Sequence, residues 1–142
     1  MRQKQPCFAP GTNIHALEPD LASLLPSAGG RWQLAADGRA LERPFSFKTF
    51  AKAWDFMTAV ALQAKIHNHH PEWSNVYNVV LVRWTTHNPR GLSDKDVRLA
   101  AICDGIAGDF HEVDTKEPAS GAAQELLTKV VTDAGDCCGE KK

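Results

Sequence analysis

Four of the chain's six histidines, His67, His69, His70 and His87, fall within a 21-residue window. Imidazole is the one side chain whose unperturbed pKa, about 6.5, lets it give and take protons near neutrality. Several imidazoles gathered in one place suit general acid–base catalysis, where each group contributes about 10²–10⁴ in rate. Each also has a plainer reading. A histidine at a helix C-terminus complements the helix dipole, the simplest role for His67. Neighbouring His69 and His70 point different ways and cannot share one capping role. His15 and His111 have no partners in sequence and read as surface residues. Zinc could take His67-x-His69-His70 with His87. That spacing matches neither a helical i, i+4 pair nor a Cys/His finger, and carboxylates beside it are few, so no metal is expected.

Other chemistries have weaker support. The chain has no G-x-G-x-x-G, no P-loop and no G-x-S-x-G. Cys7, Cys103, Cys137 and Cys138 make no C-x-x-C pair, and reduced thiols in an intracellular chain are expected. Cys103 falls on the apolar side of a helical pattern and reads as core, as does Trp54; Trp84 reads as a sheet residue. Trp32 and Trp73 sit beside turns, where they could wall a planar ligand or simply pack at an edge.

The elements that must position the histidines follow from periodicity. Leu17, Leu21, Leu24 and Leu25 have helical spacing, giving a helix over 18–25 that Pro26 and Gly29-Gly30 stop. Asp37-Gly38 between two short runs, 31–34 and 40–47, signals a hairpin, with Leu41, Phe45 and Phe47 on one face and Pro44 hinting at an edge or bulge. The clearest helix is 50–67, where Phe50, Ala53, Trp54, Met57, Val60, Ala61 and Ala64 form a stripe suited to lie on a sheet. Pro71 fixes its exit. Residues 75–86 read as a long strand with both faces partly covered, or as two strands meeting near Asn78. Ser93 looks like an N-cap, with Asp94 and Asp96 in the first turn of a helix running to about Phe110. The first three histidines then lie where a helix ends and the fourth where a strand ends, so convergence at the rim of the sheet would give them one pocket. The order predicts an α+β fold, helices on one face of a small, mainly antiparallel sheet.

Composition narrows the classes. The 142 residues suit one domain, and 43% hydrophobic with 23% charged residues is ordinary for a globular chain. Lys+Arg 16 against Asp+Glu 17 leaves a net charge of −1, without the basic excess of a nucleic-acid binder, and no apolar run approaches the ~20 residues of a membrane span. The expected organisation is a loose N-terminal tail over 1–16, a domain over 17–111, and a C-terminal extension over 112–142. In that extension Ala123, Leu126, Leu127, Val130 and Val131 suggest a short helix. The start has no signal-peptide core, and a transit peptide is only faintly suggested by Arg2 and Lys4; a cytoplasmic chain is expected, with a nuclear pool also open.

Lys65-x-x-x-His69-His70-Pro71 is followed by Tyr77 after five residues, His87 after nine more and Asp96 after eight more. That pattern resembles the signature of the pterin-4a-carbinolamine dehydratases. Phe47-Lys48-Thr49-Phe50, Val60-Ala61-Leu62-Gln63-Ala64, His69-His70-Pro71-Glu72-Trp73, Asn75-Val76-Tyr77-Asn78 and Gly91-Leu92-Ser93 agree with it, over about 17–110. The resemblance implies a four-stranded antiparallel sheet with three helices packed on one face. It implies that a 4a-hydroxytetrahydropterin, made by aromatic amino acid hydroxylases, loses water to give the quinonoid dihydropterin in tetrahydrobiopterin recycling, with no metal or organic cofactor. It assigns His69, His70 and His87 as catalytic. His69 and His87 would address the leaving hydroxyl and N5 from either side of the ring, with His70 orienting the pterin or serving as alternate acid. Asn68, Pro71, Thr85, Thr86, Asn88 and Trp32 would border the substrate, with Asp96 in support.

The resemblance further implies a homodimer or homotetramer, and allows a second role: animal relatives are dimerisation cofactors for a homeodomain transcription factor, a protein-partner function without catalysis. Asn68 stands where many relatives have Asp, and Asn88 where some have an acid. A carboxylate there would favour a charged histidine, whereas an amide can only hydrogen-bond. Lys65 replaces the Glu of animal members.

Overall fold

The computed structural model describes residues 4–114 and residue 129. Helix α1 spans Ile14–Leu24, strand β1 Gln33–Ala35, β2 Ala40–Ser46, helix α2 Phe50–Ile66, β3 Glu72–Val76, β4 Val79–His87, β5 Arg90–Gly91 and helix α3 Asp94–Asp109. The sheet is antiparallel in the order β1-β2-β4-β3, with the two-residue β5 folded back on the end of β4. The α+β class is therefore as read from the sequence.

Local chemistry explains each boundary. The side chain of Asn13 accepts from the Ala16 amide and starts α1 a turn before the leucine pattern shows itself, so the helix begins at Ile14 rather than at Glu18. Asp37 and Gly38 both take positive φ, the turn backbone that an Asp-Gly pair favours, and β1 and β2 pair across it with Ala35 opposite Ala40. Pro44 lacks an N–H; β1 ends opposite Glu42, so at Pro44 only β4 flanks the strand. Thr49 caps α2 through the Lys52 amide. The run 75–86 resolves into two strands joined at Tyr77, whose φ is 52°, and β4 is buried from Val79 to Trp84 and at Thr85, so both faces are also covered.

Period two along β2 and β4 puts Leu41, Phe45, Phe47, Val80, Val82 and Trp84 on the face that carries the helices. Leu17, Leu21 and Leu24 of α1, Ala53, Phe56 and Val60 of α2, and Val97, Ala100 and Cys103 of α3 close the core over them. The Phe56 ring lies 4.7 Å from Phe45 and 5.0 Å from Phe47, tilted by 36° to each. Trp54 is not core, contrary to the expectation from the sequence: the α2 stripe is wider than the sheet can cover, and Phe56 takes the inner position while Phe50 and Trp54 remain exposed.

Arg43, buried on the helix side of β2, ion-pairs with Asp104 of α3 and with Glu112, while its guanidinium lies 4.1 Å from the Phe45 ring. Trp32 donates its indole N–H to the same Asp104 at 2.8 Å. These contacts tie β1, β2 and the end of α3 together and bring residues 112–113 back onto the domain, where the Val113 amide reaches the Ser46 carbonyl. The N-terminal stretch is not a loose tail where it is described. Cys7 donates to the Gly38 carbonyl and accepts from Leu92, Ala9 donates to the Leu92 carbonyl, and Phe8 bridges to Leu92 in parallel. The expected short helix over 123–131 falls outside the described residues, apart from residue 129.

Candidate active site

The end of α2 is built to turn the chain toward the sheet rim. His67 is the C-cap, and Asn68 follows with φ 51°, a left-handed conformation that asparagine tolerates better than most residues. The His69 amide bonds back to Ala64 and the Asn68 amide to Lys65, the paired 6→1 and 5→2 bonds of a Schellman turn. His69 and His70 are thus delivered at a fixed angle just before Pro71 and β3.

Three imidazoles meet there. The His69 ring lies 6.4 Å from His70, and His70 lies 6.1 Å from His87 with the planes within 10°. The convergence expected from the sequence is present within one chain. The site residues fall into groups: Asn68, His69, His70, Thr86, His87 and Asn88 line one cleft of about 390 Å³, joined by Ser93, Asp94 and Lys95 from the start of α3. His67 caps its helix, and His15 and His111 lie elsewhere on the surface.

His69 is the most constrained of the three. Its Nε2 sits 2.6 Å from Oδ1 of Asp96, a fully buried carboxylate. Its ring stacks on Trp84 at 5.8 Å. The other oxygen of Asp96 accepts from the Thr86 hydroxyl at 2.8 Å and from the Ser93 amide at 2.9 Å, closing a capping box on α3. One carboxylate therefore fixes the helix start, the end of β4 and the His69 ring. With Nε2 engaged, Nδ1 is the ring nitrogen that Asp96 does not hold.

His87 has a carboxylate too. Its Nε2 lies 3.0 Å from Oε1 of Glu72, whose other oxygen is 3.5 Å from Nε of Arg83. Glu72 and Arg83 are direct cross-strand partners on β3 and β4, and His87 follows Arg83 by four residues on the same face. Glu72 stands inside the quoted His-His-Pro-Glu-Trp tract, yet the sequence alone gives it no role. The signal available is its place at the start of a strand, opposite an arginine in phase with His87. Ser93, Asp94 and Lys95 likewise read in sequence only as the start of a helix.

Three expected contacts do not reach the cleft. Trp32 is completely buried, edge-on to Phe45 at 5.7 Å and bonded to Asp104, because the chain after Gly30 turns inward beneath α3. Thr85 points to the opposite face of β4 from Thr86, and its hydroxyl donates to the Arg39 carbonyl at 2.7 Å. Pro71 is not among the cleft-lining residues and directs the chain into β3. Among the described residues no group of three or more His, Cys, Asp or Glu side chains is arranged to hold a metal ion.

A small antiparallel sheet under three helices, with an imidazole cluster at the rim where α2 ends and β4 ends, defines the class of protein. Residues 15–106 match the family described as pterin 4 alpha carbinolamine dehydratase, and the chain belongs to that family. A relative from Paraburkholderia xenovorans (strain LB400), which bears the provisional name pterin-4-alpha-carbinolamine dehydratase, is 41% identical over 93 residues, 66% of this chain and 97% of the relative. A crystal structure from Brucella melitensis, titled transcriptional coactivator/pterin dehydratase, is similar with a TM-score of 0.58 and 37% identity, over 65% of this chain and 93% of that one. A pterin dehydratase-like protein described as a RuBisCO assembly factor in the alpha-carboxysome shares the fold, with a TM-score of 0.50 and 21% identity, over 56% of this chain and 93% of that one.

Proposed function

We propose that this chain is a hydro-lyase that dehydrates a 4a-hydroxytetrahydropterin to the quinonoid dihydropterin and water, in the recycling of tetrahydrobiopterin or a related pterin. The observation that carries this reading is the meeting of His69, His70 and His87 in one cleft, with His69 and His87 each against a carboxylate. In the reaction, the C4a–O bond breaks as an imidazolium gives its proton to the leaving hydroxyl, which departs as water. The N5–H proton passes to a neutral imidazole, and its electron pair closes the N5=C4a double bond. One proton is given and one taken, so the pair returns to its starting charge with no redox partner. N5 and C4a are bonded neighbours, and His69 and His87, each about 6 Å from His70 between them in one cleft, can address both atoms from different sides. His69 and His87 take these two roles, and His70, without a carboxylate of its own among the described residues, orients the ring or substitutes as acid. Asn68, Thr86 and Asn88 offer polar edges to the heterocycle.

The test is ultraviolet-monitored breakdown of a synthetic 4a-hydroxytetrahydropterin, with and without chelator. Acceleration that survives chelation supports the reading; no acceleration over the spontaneous rate overturns it, and loss with chelator transfers the chemistry to a metal.

A second reading rests on the outer face of α2. Phe50, Trp54, Leu62 and Ile66 are exposed at helical spacing, and Tyr77 stacks on Phe50. Such a face suits a homodimer or homotetramer, or the protein partner of a non-catalytic dimerisation cofactor. Replacing His69 and His87 together by Ala abolishes dehydration but leaves association intact; Trp54→Glu does the reverse. No described helix is long and apolar enough to cross a membrane, and the proposed place of action is the cytoplasm.

A further inference from the structure

Leu92 stands at the corner between β5 and α3, and it is completely buried. Buried backbone groups must be paired, and the partners of Leu92 come from the N-terminal stretch. Its amide donates to the Cys7 carbonyl at 2.9 Å, and its carbonyl accepts from the Ala9 amide at 2.8 Å. The Thr12 hydroxyl reaches the same carbonyl at 3.4 Å. A further bond, from the Cys7 amide to the Gly38 carbonyl at 2.8 Å, fixes the stretch to the turn between β1 and β2. Two glycines let it lie this close. A Cβ on Gly91 would meet the Ala9 amide nitrogen at 2.6 Å and the Phe8 carbonyl carbon at 2.8 Å, and one on Gly38 would overlap the Gln5 carbonyl oxygen. Cys7 and Ala9 both precede residues 15–106, which match the family.

The corner carries both flanks of the histidine cleft. Ser93 follows Leu92, and its amide holds Oδ2 of Asp96, whose Oδ1 meets Nε2 of His69. Gly91 precedes Leu92, and β5 pairs Gly91 with Thr86 and Arg90 with His87. We infer that residues 7–9 are a positioning element of the active site: by backbone bonds alone they hold the Leu92 corner, which sets His69 through Ser93 and Asp96 and His87 through β5. The catalytic consequence rests on the dehydratase reading; the geometric one does not. Released from the stretch, the buried amide and carbonyl of Leu92 must find water, so the corner opens and takes Ser93 and β5 with it. The effect falls on kcat, because the imidazoles lose their angle to the substrate while the cleft keeps its lining.

The experiment uses the full chain. Ala9→Pro removes the donor to Leu92, and Cys7→Pro, at an exposed position, removes the anchor on Gly38. Ala9→Gly keeps the N–H and is the conservative variant. Each is read by dehydration of a 4a-hydroxytetrahydropterin and by imidazole-selective NMR without substrate. Both proline variants lower kcat by about tenfold or more, with KM within about threefold of the parent. In both, the ring signals of His69 and His87 move while those of His67 and His111 stay; Ala9→Gly keeps kcat and these signals close to the parent. Parental kcat with unmoved His69 and His87 signals overturns the inference. So does a loss confined to KM, or an equal change in all six histidines, the mark of general loosening. If the parent itself does not accelerate dehydration, the dehydratase reading fails, and the NMR comparison alone decides whether residues 7–9 set the two imidazoles.

Discussion

Asp96→Asn isolates the contribution of the buried carboxylate that holds His69. The change keeps shape and volume but removes the charge. One Asp96 oxygen already accepts from the Thr86 hydroxyl and the Ser93 amide, so the oxygen of the introduced carboxamide must stay there to keep α3 capped. The NH₂ then faces Nε2 of His69, donor against donor, unless the imidazole moves its proton to Nδ1. That reversal puts on Nδ1 the proton that the Asp96 contact holds on Nε2 in the parent. Losing a charge-assisted hydrogen bond costs about 2 kcal/mol of stability, a fall in Tm of roughly 5–10 °C for a domain of this size. The catalytic loss is larger. Removing one acid–base group costs about 10²–10⁴, and the comparable Asp→Asn exchange in the serine-protease triad costs about 10⁴. The assay is dehydration at a temperature where circular dichroism shows the variant fully folded, with Ser93→Ala as control. That control removes the hydroxyl that bonds Thr86 and the far oxygen of Asp96, with a cost of about 1 kcal/mol in stability, and leaves the contact between His69 and the other Asp96 oxygen in place. Turnover by Asp96→Asn within threefold of the parent would refute the claim that this carboxylate sets the state of His69.

The packing sets three further expectations. Arg43→Ala leaves Glu112 and Asp104 without their buried cation and costs about 3–5 kcal/mol, read as a lowered midpoint in urea with little change in slope. Asn68→Val forces a β-branched residue into the left-handed position, costs about 1–2 kcal/mol and misdirects His69 and His70, whereas Asn68→Gly keeps the stability within about 1 kcal/mol of the parent, both read by urea denaturation. Burial pushes the Cys103 thiol up to about 12, only partly offset by the neighbouring Trp84 indole. The folded chain thus holds that proton more tightly than the unfolded chain, so the contribution is full below about pH 9 and is lost as pH rises toward 12. Cys103→Ala shows a shallower decline over that window, and at pH 8 a thiol reagent modifies exposed Cys7 while sparing Cys103 until the chain unfolds.

Much of the fold is legible because its signals are local. Asp37-Gly38 needs positive φ, Ser93 with Asp96 spells a capping box, and the valine-rich run 79–82 can only be strand. The α2 stripe is legible as helix but not as to which half is buried: Phe50, Ala53, Trp54 and Phe56 are all apolar, and only the sheet's width selects Ala53 and Phe56. The docking of Cys7 to Ala9 on Gly38 and Leu92 is not legible, because backbone pairing to a distant loop leaves no side-chain pattern. In the site, the three histidines stand out by type and spacing. Trp32 misleads because a tryptophan beside a turn is compatible with a ligand wall and with a core position, and its indole partner Asp104 lies 72 residues away. Glu72 escapes notice because its two contacts, Arg83 and His87, exist only once β3 and β4 are in register.

The central claim is that His69, His70 and His87 surround one heterocycle. Imidazole-selective NMR of the full chain, titrated with a non-reacting dihydropterin, tests it most directly. The account predicts saturable shifts of the ring signals of His69, His70 and His87 with one common Kd, while those of His15, His67 and His111 stay in place. Shifts confined to other histidines, or a His87 ring that ignores a ligand moving His69 and His70, would contradict it.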